Sequence, residues 1–375
     1  MAEYLTNTTD LTLVADAIRT KGGTTELLTY PDEFVTAIQA IQTGTELQII
    51  VTVTSGATVT ATKGSLSVSG TSVNGTCTLT VPEPGEWTVS ATLGGQTSNS
   101  NIVNVVSSYD TTLAFISTTL NNNSWEAIRG ISDAGQGANY WSIGDRKAVT
   151  LNGTVGHLSL SNYTTYAFII GFNHNASVEG ANRIHFQLAK TAISGGKDVA
   201  LCDSKLNSQV SATGYFSMNR TNTNSGGWNS SQMRTKICGT SLSSYSGTII
   251  AVIPATLRAV LKSVTKYTNN TGKSSVASAV TATTDYFFLL SEFEVFGSIS
   301  YANSNEKNKQ AQYAYYSAGN SKIKYKHNGT STAVLWWLRS PYSGSSSFFV
   351  IVGTDRTVSY YDAYISLGFA PGFCV

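Results

Sequence analysis

The sequence predicts a multidomain protein with a short helical segment, then a small β-sandwich, then a larger α+β domain. Three changes in pattern along the 375 residues indicate this division. Residues 1–43 place apolar side chains at the spacing of amphipathic helices, and residues 45–107 alternate apolar and polar side chains in short runs between turn residues. Residues 108–375 mix helix-start signals, apolar strands and long irregular stretches, which is typical of an α+β domain with functional loops.

The composition is poor in charge and rich in small polar residues. Charged residues make up 12% of the chain, and the formal net charge of +2 is too small to indicate a nucleic-acid partner. No apolar run reaches about 18 residues, so we expect no membrane insertion. The first residues are neither basic nor strongly apolar, so we expect no secretory signal. Release by cell lysis, as for a virion component, would explain this combination, and so would a cytosolic protein that is merely rich in Ser and Thr.

The amino-terminal segment is predicted to form two short amphipathic helices. Thr9 or Asp10 can cap the first helix, and Pro31 is a favourable first residue for the second. Their apolar faces are formed by two sets of four residues, Leu13, Val14, Ala17 and Ile18, and Phe34, Val35, Ile38 and Ile41. Two short helices bury little apolar surface alone. We therefore expect them to pack on a partner chain or on each other in a homo-oligomer, for which a trimer is one possibility.

The amino-terminal segment contains a distinctive series of short sequence motifs. It contains Ala15-Asp16-Ala17-Ile18-Arg19, then Lys21-Gly22-Gly23, then Tyr30-Pro31-Asp32-Glu33-Phe34. This order resembles a segment common in tail and fibre proteins of phages that infect Gram-positive gut bacteria. The resemblance implies that residues 1–43 attach the chain to other virion tail proteins. An ordinary helical hairpin is the alternative interpretation.

The second part is predicted to be a β-sandwich because its strands are short and separated by turn residues. Alternating runs occur at 47–53, 57–61, 77–81, 87–91 and 102–106. The sequence Gly85-Glu86-Trp87-Thr88-Val89 resembles the late strand of bacterial immunoglobulin-like modules. The resemblance implies that this part is a spacer or a weak adhesive module.

Within residues 108–375, two helices and several strands can be located. Ser124 is predicted to cap a helix through a capping box, and Pro254 is predicted to begin a helix that runs to 264. Apolar runs at 166–172, 184–188 and 286–290 predict buried strands.

No strong catalytic or metal-binding motif occurs. The four histidines form no H-E-x-x-H pattern and the four cysteines form no C-x-x-C pair, so we expect no metal, no cofactor and buried, unreactive thiols. Glu292 and Glu294 alternate with apolar residues and could be paired carboxylates on one strand face, as a carbohydrate hydrolase needs. A structural ion pair is the alternative for these two residues.

The third part carries eight motifs in a fixed order, which are Trp125 with Ile128, Tyr140-Trp141-Ser142-Ile143-Gly144-Asp145, Ile170-Gly171-Phe172-Asn173-His174, Ser225-Gly226-Gly227-Trp228, Met233-Arg234, Leu289-Leu290-Ser291-Glu292-Phe293-Glu294-Val295-Phe296-Gly297, Gln312-Tyr313-Ala314-Tyr315-Tyr316 and Trp336-Trp337-Leu338-Arg339-Ser340-Pro341. Together they resemble the C-type-lectin-like domains of gut phage and bacterial surface proteins, many of which are targets of diversity-generating retroelements. The resemblance implies the C-type lectin fold in the variant shared with formylglycine-generating enzymes. It also implies ligand binding through a variable carboxy-terminal surface, residues 339–375. The catalytic cysteine pair of the enzymes is not carried over, so we expect no enzyme activity.

The variable proteins of this family are mutated mainly at adenines of asparagine codons, which can never yield Lys, Glu, Gln, Met or Trp. Residues 339–375 contain none of these five types. At the chain-wide frequency of 45 in 375, about four would be expected among these 37 residues. The composition therefore supports the interpretation that this segment has been diversified.

The spacing of the family places the variable, ligand-binding positions at Tyr342, Ser345, Ser347, Phe348, Ile351, Gly353, Thr354, Asp355, Ser359, Tyr360, Tyr361, Asp362, Tyr364 and Ile365. The scaffold beneath them is expected to comprise Trp336, Trp337, Arg339, Phe349, Val352, Val358, Ala363 and Gly368. Which of the side chains at 369–373 face a ligand stays open, because this stretch departs from the commoner family form.

The sequence therefore predicts a receptor-binding protein of a phage tail or fibre, made in the bacterial cytoplasm and carried on the virion. Its ligand would be a host cell-surface protein or glycan, bound by the aromatic residues Phe348, Tyr360, Tyr361 and Tyr364, with charge selectivity from Asp355, Arg356 and Asp362. A bacterial surface adhesin of the same fold is the second hypothesis, and a carbohydrate hydrolase using Glu292 and Glu294 is the third.

Overall fold

The structure is a computed structural model that describes residues 8–22, 27–29, 33, 35 and 46–375. The chain divides into two compact units, Met1–Phe115 and Ile116–Val375. Among the described residues, no helix has both the length and the apolar character needed to cross a membrane.

Helix α1, Thr8–Gly22, packs through a different stripe from the one predicted. Ala15 and Ile18 are its buried residues, and Leu11 and Leu28 are partly buried against them. Leu13 is 62% exposed, although the apolar pattern placed it on the same face as Ile18, and Val14 is exposed as well. The helix carries two adjacent apolar stripes, and periodicity alone does not say which one is covered. Of the predicted second helix, residues other than Glu33 and Val35 lie outside the described part of the chain.

Residues 46–115, the described remainder of the first unit, contain eight strands in two sheets. The strands are β1 Gln48–Thr52, β2 Thr58–Lys63, β3 Leu66–Thr71, β4 Thr76–Thr80, β5 Gly85–Leu93, β6 Gln96–Thr97, β7 Asn101–Val105 and β8 Ser108–Thr112. One sheet has the order β4-β1-β8, and the other has the order β3-β2-β5-β6 with β7 also paired to β5. Because β8 pairs in parallel with β1, the first unit continues to Phe115 rather than ending at 107.

Both sheets contribute to one core. Val51 and Leu79 come from the first sheet, and Val59, Trp87 and Val103 come from the second. Alternate residues of β4 and β5 are buried, as the period-two pattern predicted, because successive side chains of a strand point to opposite faces.

The second unit contains short helices and thirteen further strands. The helices are α2 Trp125–Asp133, α3 Gly137–Tyr140, α4 Ala176–Glu179, α5 Gly227–Ser230, α6 Ile249–Val252, α7 Ala255–Arg258, α8 Glu292–Phe296 and α9 Ala314–Ser317. A π-helical turn spans Met233–Cys238, and 3₁₀ turns span Leu120–Asn122, Ala277–Ala279 and Ser304–Asn308. The strands are β9 Arg146–Val155, β10 Leu158–Phe172, β11 Ile184–Lys190, β12 Val199–Ala200, β13 Val264–Asn269, β14 Val280–Asp285, β15 Phe287–Phe288, β16 Lys324–Lys326, β17 Gly329–Val334, β18 Trp336–Pro341, β19 Phe348–Val352, β20 Val358–Asp362 and β21 Gly372–Cys374.

The largest sheet of this unit has the order β15-β21-β11-β10-β9, and all its pairings are antiparallel. Strand β21 lies inside this sheet, and residues 365–375 are buried throughout. The side chains at 369–373, left open by the sequence, therefore belong to the core. A separate antiparallel sheet, β18-β19-β20, carries most of the segment predicted to bind a ligand.

Two local predictions need correction. Residues 291–295 are not a strand: Ser291 caps helix α8, its hydroxyl accepting from the Glu294 N–H while the Glu294 carboxylate accepts from the Ser291 N–H. This reciprocal pair is a capping box, and it outweighs the apparent alternation. The helix predicted from Pro254 to 264 is only the short α7, because β13 begins at Val264.

The helix predicted at Ser124 is present as α2. The Ser124 hydroxyl accepts from the Ala127 N–H at 3.0 Å. The position that would complete a capping box is occupied by Ala127, so the cap consists of this single bond.

Candidate ligand-binding surface

Strand β18, which we call the foundation, is the fully buried strand of the sheet β18-β19-β20. Trp336, Trp337 and Arg339 are fully buried. The indole Nε1 of Trp336 donates to the Lys322 carbonyl at 2.9 Å, and that of Trp337 donates to the Phe216 carbonyl at 3.0 Å. Both indole N–H groups thus have a hydrogen-bond partner, as buried tryptophans usually do. These three residues, assigned to the scaffold from the sequence, are out of reach of a ligand.

Arg339 anchors the foundation to helix α8 through a buried ion pair. Its guanidinium donates to both carboxylate oxygens of Glu294, at 2.5 and 2.8 Å, and to the Thr268 hydroxyl at 2.7 Å. The Lys266 ammonium lies 2.9 Å from the same carboxylate. Burial alone would raise the pKa of Glu294, but Arg339 and Lys266 together hold it below its ordinary value. Glu294 is therefore a permanent anion at the centre of this unit.

Two neighbouring carboxyls behave in the opposite way. Glu179 bonds the Lys266 ammonium at 2.6 Å, yet burial raises the pKa of Glu179 to about 7. Glu306 accepts from the Asn269 N–H at 2.9 Å and from the Ser340 hydroxyl at 2.7 Å, and burial likewise raises the pKa of Glu306 to about 7. Two cations thus balance one permanent anion and two carboxyls that titrate near neutrality.

His174, Glu179 and Glu294 lie close enough together to contact a metal ion. The cation that these carboxylates already bind is the Lys266 ammonium, which bridges Glu179 and Glu294. Burial and Lys266 lower the pKa of His174 to about 3, so its imidazole is neutral at physiological pH. This group is best described as a buried ion cluster with lysine at its centre.

Four aromatic rings form a continuous cluster around Tyr360 of the edge strand β20, which we call the aromatic surface: Tyr301, Tyr342, Phe348 and Tyr360. The rings of Tyr342 and Tyr360 stack with centroids 4.7 Å apart and 23° between their planes. Phe348 lies 5.0 Å from Tyr360, and Tyr301 meets Tyr360 edge-on at 4.9 Å. Tyr360 is 36% exposed, while the other three rings are half-buried. Tyr361, on the opposite side of the same strand, is also exposed.

Most of the positions predicted to bind a ligand are accessible. Four of them are exposed, namely Thr354, Asp355, Tyr360 and Tyr361. Seven are half-buried, namely Tyr342, Ser345, Ser347, Phe348, Ser359, Asp362 and Tyr364. The structure brings these residues together on β19, β20 and the segments that flank them.

Ile351, Gly353 and Ile365 are buried and do not offer side chains to a ligand. Ile351 lies between Trp337 of β18 and Ser359 of β20 in the middle strand, so its side chain is part of the core. A side chain at Gly353 would require the Asp355 carboxylate to move, because an added Cβ would lie 2.5 Å from its Oδ1 atom. Ile365 is the first residue of the stretch 365–375, in which every residue is buried. The family spacing therefore assigned these three positions to ligand binding although the structure buries them.

In the turn between β19 and β20, the side chain of Asp355 forms hydrogen bonds within the turn itself. The Asp355 carboxylate accepts from the Thr357 N–H at 3.1 Å and from its hydroxyl at 2.7 Å. These bonds lower the pKa of Asp355. Arg356 adopts a positive φ of 70°, as tight turns require. Asp355 therefore stabilises the turn through its Oδ1 atom, which accepts both bonds.

Several residues that shape this surface were missed by sequence reasoning because they lie far away along the chain. Asn222 donates to the Asp362 carboxylate at 2.6 Å, and its own oxygen accepts from the Ala363 N–H at 3.1 Å. Gln209 donates to the Tyr364 hydroxyl. The Tyr301 carbonyl accepts from the Ser343 N–H at 2.9 Å. Only the motif around Ser225-Gly226-Gly227-Trp228 gave a signal near this region.

The two glutamates considered for hydrolysis are fully buried in helix α8. Glu294 is held by Arg339 and Lys266. Glu292 accepts from the backbone N–H groups of residues 300–302, including Ala302 at 2.7 Å, and burial raises its pKa against these bonds. Both carboxyls thus have structural partners of their own, as in the ion-pair interpretation.

Comparison with known proteins adds one match. Residues 203–375, which include β18, β19 and β20, match the model of a family described as a domain of unknown function, DUF6273. No curated protein and no solved structure matches the chain.

Proposed function

We propose that this chain is a receptor-binding protein of a phage tail or fibre, in which the aromatic surface and strand β20 bind a host cell-surface protein or glycan. In this proposal residues 1–43 attach the chain to other tail proteins, and the sandwich acts as a spacer. The observation that carries the proposal is the contrast between the two outer strands of one sheet. Tyr360 and Tyr361 of the edge strand β20 are exposed, whereas every residue of β18, including Trp336, Trp337 and Arg339, is buried.

The chemistry of the aromatic surface suits recognition. Tyrosine offers a large contact area with few rotatable bonds, and serine and asparagine add adaptable hydrogen bonds. The rings of Tyr342, Phe348 and Tyr360 already hold one another in place. Binding would therefore cost little side-chain entropy, which raises affinity for a given contact area.

The sequence variability proposed for residues 339–375 agrees with the accessibility of the positions expected to vary. Eleven of the fourteen positions expected to vary are exposed or half-buried, so substitutions there would change the surface without disturbing the core. The absence of Lys, Glu, Gln, Met and Trp from 339–375 points the same way. A near-copy of the corresponding gene segment that differs mainly at adenines, next to a reverse transcriptase gene, would support this part of the proposal. Tail genes nearby would favour the phage protein, and a lipobox-bearing homologue would favour the adhesin.

Binding can be tested with the double variant Tyr360→Ala/Tyr361→Ala. The labelled chain is incubated with a panel of Gram-positive gut isolates, and retained fluorescence is measured by flow cytometry. On isolates that the wild type binds, we expect retention to fall about tenfold or more, because exposed aromatic residues dominate binding energy. We expect the free energy of unfolding to change by less than about 1 kcal/mol, as for other surface positions.

Tyr109→Ala is the matched control, since Tyr109 is an exposed tyrosine on β8, in the other unit. It should bind like the wild type. Equal retention of the wild type and the double variant on every bound isolate would contradict the proposal. A large loss of stability in the double variant would mean that these tyrosines belong to the core.

A further inference from the structure

Residues 342–348, which are the connection between β18 and β19 and the first residue of β19, form a loop that is held by one side chain from a distant part of the sequence. The Asn224 amide nitrogen donates to the carbonyls of Tyr342, Ser345 and Phe348, at 3.1, 2.7 and 2.9 Å. Its two N–H bonds are thus shared among three acceptors. The backbone N–H of Asn224 donates to a fourth carbonyl, that of Ser346, at 2.7 Å. One residue therefore contacts four main-chain carbonyls of a seven-residue loop.

The orientation of this amide is fixed by those carbonyls. Asn224 is fully buried, and its Oδ1 atom has no hydrogen-bond partner among the described residues. Turning the amide over would point that oxygen at three carbonyl oxygens and lose all three bonds. An unsatisfied buried oxygen is unfavourable, so the arrangement indicates that holding the loop is what this side chain does.

Asn224 is itself held by close backbone contacts. A Cβ added at Gly227 would lie 2.0 Å from the Asn269 carbonyl oxygen, and one added at Gly272 would lie 2.5 Å from the Asn224 carbonyl oxygen. Both glycines also have a positive φ. The motif Ser225-Gly226-Gly227-Trp228 thus permits the segment that carries Asn224 to lie directly against the loop at 269–272. A larger residue at either position would push these two backbone segments apart and displace Asn224.

All four contacts are made to the main chain of the loop and none to its side chains. Any residue other than proline presents the same backbone, so these bonds are independent of the residues at 345, 347 and 348. We propose that Asn224 is a positioning residue that fixes the backbone of residues 342–348 whatever side chains the loop carries. This inference rests on the proposed function, because it explains how a ligand-binding loop could change its sequence and keep its shape.

The test is residue-resolved amide hydrogen exchange on the full chain, read at the Tyr342 and Ser343 amides. These amides donate to the Phe348 and Tyr301 carbonyls, so they report the loop. Asn224→Ala and the isosteric Asn224→Asp both remove the amide donors. We expect exchange at the two reporters to become about tenfold faster or more in both variants, since buried carbonyls lose their partners. The loop variant Ser345→Ala/Ser347→Ala/Phe348→Ala should stay within about threefold of the wild type, because the amide–carbonyl bonds remain.

Asn123→Ala is the matched control. Asn123 is also buried, and its amide also donates to three carbonyls, those of Ser117, Thr119 and Leu120. It should loosen that segment and leave the 342–348 loop protected. A purely general loss of stability would instead accelerate the two reporters in both Asn224 and Asn123 variants, and would overturn the proposal.

Other outcomes are equally decisive. Unchanged exchange in the Asn224 variants, or a loop variant that loosens as much as they do, would also overturn it. If neither Asn224 variant folds, the loop variant decides alone: protection retained supports the proposal and protection lost overturns it. Retention on bacterial cells separates this inference from the proposed function. If the Asn224 variants show faster exchange in the loop but full retention on cells, Asn224 positions the loop and the loop is not part of the binding site. If they show unchanged exchange but lost retention, Asn224 does not position the loop, and the binding function still stands.

Discussion

At the scale of single residues, Arg339 joins the candidate surface to the centre of its unit. It is fully buried and donates to Glu294, to the Thr268 hydroxyl and to the Leu289 carbonyl. Arg339→Met keeps an unbranched side chain of similar length but leaves the Glu294 carboxylate with Lys266 as its remaining cation. We expect a loss of about 3–5 kcal/mol in the free energy of unfolding, because breaking a buried ion pair strands a charge. Urea denaturation measures this loss.

Arg356→Met is the control for that substitution. Arg356 is exposed in the turn between β19 and β20, so its replacement should change stability by less than about 0.5 kcal/mol. Similar stability for the Arg339 variant and the wild type would show that the buried pair contributes little. The comparison also separates a scaffold arginine from one available to a ligand, which the sequence alone could not do.

At the scale of the element, strands β19 and β20 differ in what they tolerate. Ile351 in the middle strand is buried, whereas Tyr361 in the edge strand is 38% exposed. Ile351→Asn would bury an amide and leave a void, and we expect it to cost about 3 kcal/mol or more. Tyr361→Asn should cost less than about 1 kcal/mol. Thermal denaturation of the two variants tests this, and equal tolerance at both positions would mean that Ile351 is an accessible variable position after all.

Sequence patterns located elements best where the signal was local. The strands of the sandwich were predictable because each strand alternates apolar and polar residues. The helix start at Ser124 was predictable because the capping residue lies next to its helix. Residues 291–295 were misassigned because two glutamates two residues apart fit a strand face as well as a capped helix. Only the reciprocal bonds between Ser291 and Glu294 decide between them.

The candidate site was predictable in part for the same reason. Its position along the chain came from a family resemblance, whose spacing could not distinguish the buried Ile351 from the exposed Tyr360. Asn222, Asn224 and Tyr301 were missed because their bonds to the loop and to β20 span between 42 and 141 residues. A hydrogen bond to a distant main chain leaves no periodic trace in a single sequence.

At the scale of the whole molecule, the two units have separate cores. Trp87 is fully buried in the core of the sandwich, and Trp337 is fully buried in the second unit. A spacer and a binding domain need not share stability, and multidomain chains commonly unfold in more than one step. The proposed function therefore expects damage to the sandwich to leave the aromatic surface intact.

Trp87→Ala tests this separation. Removing a buried tryptophan costs about 3–5 kcal/mol, so we expect differential scanning calorimetry to show one transition moved to lower temperature and a second one unmoved. Below the first transition, retention on bacterial cells should equal that of the wild type. Trp337→Ala is the reciprocal variant: it should move the other transition and reduce retention, since Trp337 is a buried residue of the same sheet and pairs with Ile351 of β19. A single transition that moves as a whole in the Trp87 variant would show instead that the sandwich and the second unit are stabilised together, and the proposed spacer role would have to be abandoned.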